Sequence, residues 1–191
     1  PLEDGHVGVS RASAACDFPS RFMLIAAMNP CPCGYYNDPT HDCRCTQSQI
    51  LKYQRRISGP LLDRIDIHLG VQAVPVKDLA GLHRGESSAS IRARVVAARE
   101  IQRRRYRSMP GVLTNADAKS RDLQDICRLS TQAQEEVRRI LEALRLSARA
   151  YDRILRVSRT IADLAGHEGV SQEDIMEATS YRQLDDDSFW A

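Results

Sequence analysis

The chain has 191 residues with 27 Lys and Arg against 25 Asp and Glu, a net charge of +2, and 42% hydrophobic and 27% charged residues. That is the composition of a globular protein with one or two cores, and so weak a net charge does not by itself announce a nucleic-acid partner. No stretch approaches the ~20 apolar residues of a membrane span, and no basic-then-apolar leader opens the chain. Of six Cys, four crowd between Cys31 and Cys45 while Cys16 and Cys127 stand apart. This clustering suggests metal rather than a disulfide framework, and the expected location is the cytoplasm, with no membrane contact. Pro1 is not a translation start, which predicts a domain boundary there.

Residues 5–17 (GHVGVSRASAACD) alternate weakly and predict a β-hairpin with its tip between Arg11 and Ser13. Phe22 to Met28 (FMLIAAM) is a continuous apolar run whose length suits a buried, parallel strand. Residues 29–46, rich in Pro, Gly, Asn and Cys, read as a loop. Gln47 to Ile57 has helical spacing, Pro60 can start a short helix over PLLDRI (60–65), and Ile65 to Val71 alternates as a strand does. VPVKDL (74–79) leads out of this first part.

From Ser87 the pattern is purely helical. Ser88 to Arg105 is a long periodic segment, followed by a loop at 114–116 and a short helix around 119–127. Ser130 is a candidate cap for a helix through 144, with Val137, Ile140, Leu141 and Leu144 at three- and four-residue spacing. Ser147 caps the next helix, which stops at Gly166 and carries a stripe of Ile154, Leu155, Ile161 and Leu164. Ser171 caps the last. The expected architecture is α/β plus all-α: an α/β part over 1–80, a linker at 81–87, a helical domain over 88–184 and an acidic tail over 185–191.

Charge is unevenly spread. RARVVAAREIQRRRYR (92–107) is strongly basic and DDD (185–187) acidic. The basic run is either a solvated helix face or a surface turned to DNA or a neighbouring subunit. The four clustered thiols run Cys31-Pro-Cys33, nine residues, then Cys43-Arg-Cys45. Four thiolates complete a tetrahedral Zn²⁺ shell, although the usual structural spacing leaves at least two residues between paired Cys. His41 is a spare ligand. Reduced thiols in a loop, or disulfides, are the alternatives.

The PLEDG opening, IAAMNPCPCG (25–34), GPLLDRIDIH (59–68) and LSARAYDRILRVSRTIADLAG (146–166) occur in an order that resembles the magnesium-chelatase-like AAA+ ATPases. More loosely they resemble the replicative helicases of the same branch. The resemblance covers the chain from Pro1 to about Arg182. It implies a partial AAA+ core, comprising C-terminal strands of the parallel sheet and a β-hairpin, followed by a helical lid. The implied function is an ATP-driven DNA helicase or branch-migration motor, working as a hexameric ring with ATP and Mg²⁺.

The same resemblance implies roles for single residues. Asn29 would be the sensor 1 residue that reads the γ-phosphate, and Arg64 the arginine finger that reaches a neighbouring subunit's nucleotide. Arg149 would be the sensor 2 arginine, and Arg153 and Arg156, on the same helical face by their four- and seven-residue spacing, are further candidates for binding the nucleotide. Arg11, at the expected hairpin tip, would grip DNA phosphates, with His6 and Arg44 as weaker candidates. Tyr35 and Tyr36 are candidate stacking platforms. No GxxxxGK[ST] phosphate loop occurs in the sequence. The chain alone is therefore expected neither to bind ATP tightly nor to hydrolyse it, and to be mostly monomeric. Two other readings stay open: a chelatase subunit driving metal insertion into a porphyrin, and a regulatory adaptor on a decayed ATPase fold.

Overall fold

The computed structural model describes residues 2, 5–11, 14–71, 74, 85–144 and 147–182. The expected hairpin tip at 12–13, most of 74–79, linker residues 81–84 and the acidic tail lie outside the described residues, as does the side chain of Leu144. The chain divides into two compact units, Pro1–Ile65 and Asp66–Ala191.

In the first unit the expected hairpin forms. Strands β1 (His6–Arg11) and β2 (Ala14–Pro19) pair antiparallel, with Arg11 opposite Ala14 and His6 opposite Pro19. The hairpin buries little: Val9 and Phe18 are exposed.

The apolar run 22–28 does not form the expected buried strand. It has no regular secondary structure, and Met23 and Ile25 are 82% and 85% exposed. An apolar run becomes a strand only where neighbouring backbone satisfies its N–H and C=O groups. Among the described residues no strand lies beside it.

A loop to residue 46 then leads to α1 (Gln47–Gln54). The Thr46 hydroxyl accepts from the Gln49 amide while the Gln49 side chain accepts from the Thr46 amide, a reciprocal capping box. The short α2 (Gly59–Leu62) has Pro60 in its first turn, where a missing N–H costs nothing.

In the second unit, residues 65–71 likewise fall short of the expected strand. A single parallel bridge joins His68 to Arg182, and Ile67, Leu69 and Val71 stay exposed. The helices, by contrast, form: Ser130, Ser147 and Ser171 cap three of them as expected and Gly166 ends one, while the short helix expected around 119–127 starts only at Leu123. Helix α3 (Ser88–Arg105) begins on a Ser87 hydroxyl that accepts from the Ser90 amide. Two 3₁₀ turns, Asn115–Asp117 and Ser120–Asp122, precede α4 (Leu123–Cys127). Helix α5 (Thr131–Leu144) is capped by Ser130 and α6 (Ala148–Ala165) by Ser147. Helix α7 (Gln172–Ser180) has a capping box between Ser171 and Asp174.

Helix α6 is the centre of the unit and packs against α3, α4 and α7, while α5 packs on α7. The core is built from Leu123, Cys127, Val137, Leu155, Ala162 and Ile175 with their neighbours. Burial pushes the Cys127 thiol up to about 11, as suits an inert core residue. Of the predicted stripe on α6, Ile154 and Leu155 are buried and Ile161 packs against the core, but Leu164 is 48% exposed. Leu164 stands about 200° round the helix from the buried Ala162, outside the buried arc.

Two glycines matter. Gly166, at φ 77°, ends α6 in the left-handed conformation, with its N–H and that of His167 returning to the last carbonyls. Gly169 sits against the Arg128 backbone, where an added Cβ would lie 2.9 Å from the carbonyl oxygen.

Candidate functional site: a thiol cluster and an arginine-bearing helix

The loop after the apolar run folds around its cysteines. The Sγ atoms of Cys31, Cys33, Cys43 and Cys45 lie within 4.8 Å of one another. The closest pairs are Cys31–Cys33 at 3.3 Å, Cys33–Cys43 at 3.6 Å and Cys31–Cys43 at 3.7 Å. Four sulfurs bound tetrahedrally at about 2.3 Å from Zn²⁺ would stand about 3.8 Å apart. The donor set therefore fits a closed structural zinc site.

Backbone groups support the same reading. The N–H groups of Tyr35 and Arg44 point at Cys33 and hold its thiol down at about 6. The Cys45 N–H likewise favours the Cys43 thiolate, but burial and the Cys33 and Cys31 thiols outweigh it and push Cys43 up to about 12. Burial raises Cys45, against a hydrogen bond from the Cys33 backbone. Without a cation one thiol ionises at the expense of the others; a dication removes that conflict.

The loop is further braced by Asp38, whose carboxylate accepts from Thr40 and His41 and is held below the usual range by Thr40. His41 is not a member of the thiol cluster; it stacks on Tyr35 with ring centroids 4.9 Å apart. Gln54 of α1 donates to the Pro30 carbonyl at 3.0 Å, which anchors the start of the loop. Asn29, the residue before, is exposed. A Cβ added at Gly34, which has φ 88°, would meet the Asn29 amide at 3.8 Å.

Arg64 follows α2, half-buried, and donates to the Pro60 carbonyl at 2.7 Å. Arg11 ends β1, exposed, beside the turn.

Three of the four arginines of α6, Arg149, Arg153 and Arg156, have different surroundings despite the face they were expected to share. Arg149 is exposed in the first turn and makes no ion pair among the described residues. Arg153 is buried and donates to Asp66 at 2.6 Å. Arg156 gives both Nε and Nη2 to the Ala118 carbonyl, at 3.2 and 3.0 Å.

Sequence reading missed the residues that organise this helix. Arg159 is fully buried; it donates to Asp163, to the Glu168 carbonyl at 3.0 Å and to the His167 carbonyl at 2.7 Å. Asp163 also receives both ends of the Arg105 guanidinium from α3, and the Asn115 amide at 2.9 Å. Tyr106 donates to the Asn115 oxygen at 2.6 Å. Burial alone would raise the Asp163 carboxyl, but the bonds from Arg105 and Asn115 and the nearby Arg159 charge outweigh it and hold it below the carboxylate range. The available signal was the Arg159–Asp163 spacing of four on an otherwise apolar stripe.

With this geometry in hand, the class of protein can be stated. Residues 1–79 match the family of magnesium chelatase subunit ChlI, and residues 85–182 match the ChlI C-terminal family. The chain belongs to the magnesium chelatase-like AAA+ ATPases. It is 43% identical to the competence protein ComM of Haemophilus influenzae over 185 residues, which is 96% of this chain and 35% of the relative. It is 40% identical to the uncharacterized protein YifB of Escherichia coli, over 97% of this chain and 35% of that one. A Mycobacterium tuberculosis protein, also uncharacterized, is 37% identical over 96% of this chain and 36% of its own length. The chain thus spans about a third of the relatives it matches. No described helix is long and apolar enough to cross a membrane.

Proposed function

We propose that this chain is the nucleotide-sensing and lid portion of an ATP-driven DNA motor of the branch-migration or helicase type, acting in the cytoplasm during natural transformation. The observation that carries the reading is the contrast along α6. Arg153, Arg156 and Arg159 are engaged by Asp66, Ala118, Asp163 and the 167–168 backbone, whereas Arg149 stands exposed in the first turn. A guanidinium at a helix N-terminus opposes the helix dipole at a cost of ~0.3–1 kcal/mol. A bound phosphate would offset that cost.

In the whole protein Arg149 would report nucleotide to the lid and Asn29 would read the γ-phosphate. Arg64 would act in trans on a neighbour in a hexameric ring. Arg153 and Arg156 would hold the helix that carries Arg149 rather than touch ATP. The phosphate loop and Mg²⁺ ligands would come from outside this sequence. Cys31, Cys33, Cys43 and Cys45 would bind structural zinc and fix the loop that follows Asn29. Arg11 on the hairpin would track DNA phosphates.

The test is ATP-dependent unwinding of forked DNA by the whole protein. The Arg64→Ala variant should lose ~10³-fold or more in ATP turnover and regain part of it when mixed with a subunit that has Arg64 but lacks the phosphate loop. Arg149→Ala should lower turnover without such rescue. Porphyrin-dependent ATPase activity with no forked-DNA activity would favour the chelatase-type reading, and absence of any ATPase activity the adaptor.

A further inference from the structure

We propose that the outward face of α3 is a second nucleic-acid surface, which takes the phosphate backbone without regard to base sequence. The proposal rests on the DNA reading above but concerns a different element from the hairpin.

Between Glu86 and Asp117 there are seven Arg and one acid, Glu100. The rest of the chain is net acidic, so this helix and the turn after it hold the positive charge of the protein. Arg104 donates to the Glu100 carbonyl at 3.4 Å, and the other six do different things. Arg105 turns inward to Asp163, and Arg94 pairs with Glu86. Arg92, Arg99 and Arg107 are exposed and make no ion pair among the described residues. Arg103 keeps only an exposed pair with Glu100, its own side chain 78% accessible. Such pairs contribute little and are readily exchanged for a phosphate.

The spacing orders these charges. Arg92, Arg99 and Arg103 are seven and four residues apart, so they lie on one face, turned away from the buried Ala98 and from the inward-reaching, half-buried Arg105. At 1.5 Å per residue the stripe is about 16 Å long, close to five nucleotide steps of about 3.4 Å. Arg107 extends it past the helix end.

Two features separate this face from a merely solvated one. A solvated helix interleaves acids at four-residue spacing for support, and here Glu100 stands alone. Val96 lies within the stripe at 58% exposure and Val95 beside it at 45%. Apolar residues among unpaired arginines suit a face covered by sugar and phosphate. A single-sign track of forked donors fits a regular polyanion better than it fits the mixed charges of a protein surface.

The experiment measures binding of this chain to a labelled oligothymidine and to a labelled duplex of mixed sequence across a salt series. Helix content and melting are recorded for every variant. The triple variant Arg92→Ala, Arg99→Ala, Arg103→Ala should stay folded, bind both probes at least about tenfold more weakly at low salt, and flatten the log–log salt slope by about 2 for the oligothymidine and about 3 for the duplex. The triple Lys variant should keep the slope, because a phosphate track reads charge. An unchanged slope in the Ala variant, or equal loss in the Lys variant, overturns the proposal. If Arg11→Ala flattens the slope and the α3 variant does not, the α3 surface falls while the DNA reading stands. If the wild-type chain and the whole protein both ignore DNA, both fall. Arginine-dependent binding to polyglutamate without binding to either oligonucleotide also overturns it, in favour of an acidic protein partner.

Discussion

The two units of the chain have similar apolar material and treat it in opposite ways. The helical unit closes its own core, with Leu155 and Ile175 fully buried; the first unit leaves Met23 and Ile25 almost bare. The difference lies in where the hydrogen bonds go. A helix satisfies its backbone within one segment, so caps and a stripe at 3.6-residue spacing suffice to place it. A strand must borrow its partners from other segments. Among the described residues the apolar run 22–28 has none beside it.

The contrast can be broken most forcefully at Asp163. Replacing it by Asn leaves Arg105 and Arg159 without their carboxylate, and a buried uncompensated charge costs ~3–5 kcal/mol. Urea unfolding followed by circular dichroism should show that loss in the helical signal. The carboxyl is held below the ordinary Asp value of about 3.9. Its contribution is therefore complete above that value and is lost as pH falls through the lower, native one. Acid unfolding of wild type should steepen below about pH 4, and Asp163→Asn should flatten that part of the curve.

A smaller effect is expected at Gly169. The Gly169→Ala variant drives a Cβ against the Arg128 carbonyl oxygen, an overpacking that costs ~1–3 kcal/mol. Smaller still is Ser171→Ala. It removes the hydroxyl that accepts from the Asp174 amide, worth ~1 kcal/mol; Ser171→Thr should restore most of it. The smallest is Ile25→Lys. At 85% exposure it should shift helical-unit stability, read by urea unfolding, by no more than ~0.5 kcal/mol. A large destabilisation from Ile25→Lys would show that the first unit's apolar run supports the helical core, and the contrast between the units would fail.

The legibility of the sequence follows the same division. Ser87, Ser130, Ser147, Ser171 and Gly166 marked the helix ends because capping is local chemistry, readable from neighbours in the chain. The paired strands of the hairpin and the thiol quartet were legible for the same reason. The strands expected at 22–28 and 65–71 were not, since an apolar run states a preference for burial without naming what buries it. Leu164 failed because three- and four-residue spacing does not say where the edge of the stripe lies, and the buried arc runs instead through Arg159, Ala162 and Asp163. Arg159 and Arg105 looked like ordinary surface charges; only the fold shows that they share one aspartate. The surroundings of Arg153 and Arg156 were hidden likewise, since their acceptors, Asp66 and the Ala118 carbonyl, lie far away in sequence.

Helix α6 has a mechanical consequence. Its 18 residues make a rod about 27 Å long. Arg149 stands at one end, and Asp163, bolted to Arg105 of α3, at the other. The rod is gripped along its length by a close-packed core, so it moves as one piece or not at all. A tilt of about 10° imposed at the first turn carries the far end through about 5 Å, and α3 must travel with it. In the proposed motor, a nucleotide that pulled on Arg149 would thereby displace the arginine-studded surface of α3. That is the arrangement of a lever whose load lies at the opposite end from its trigger.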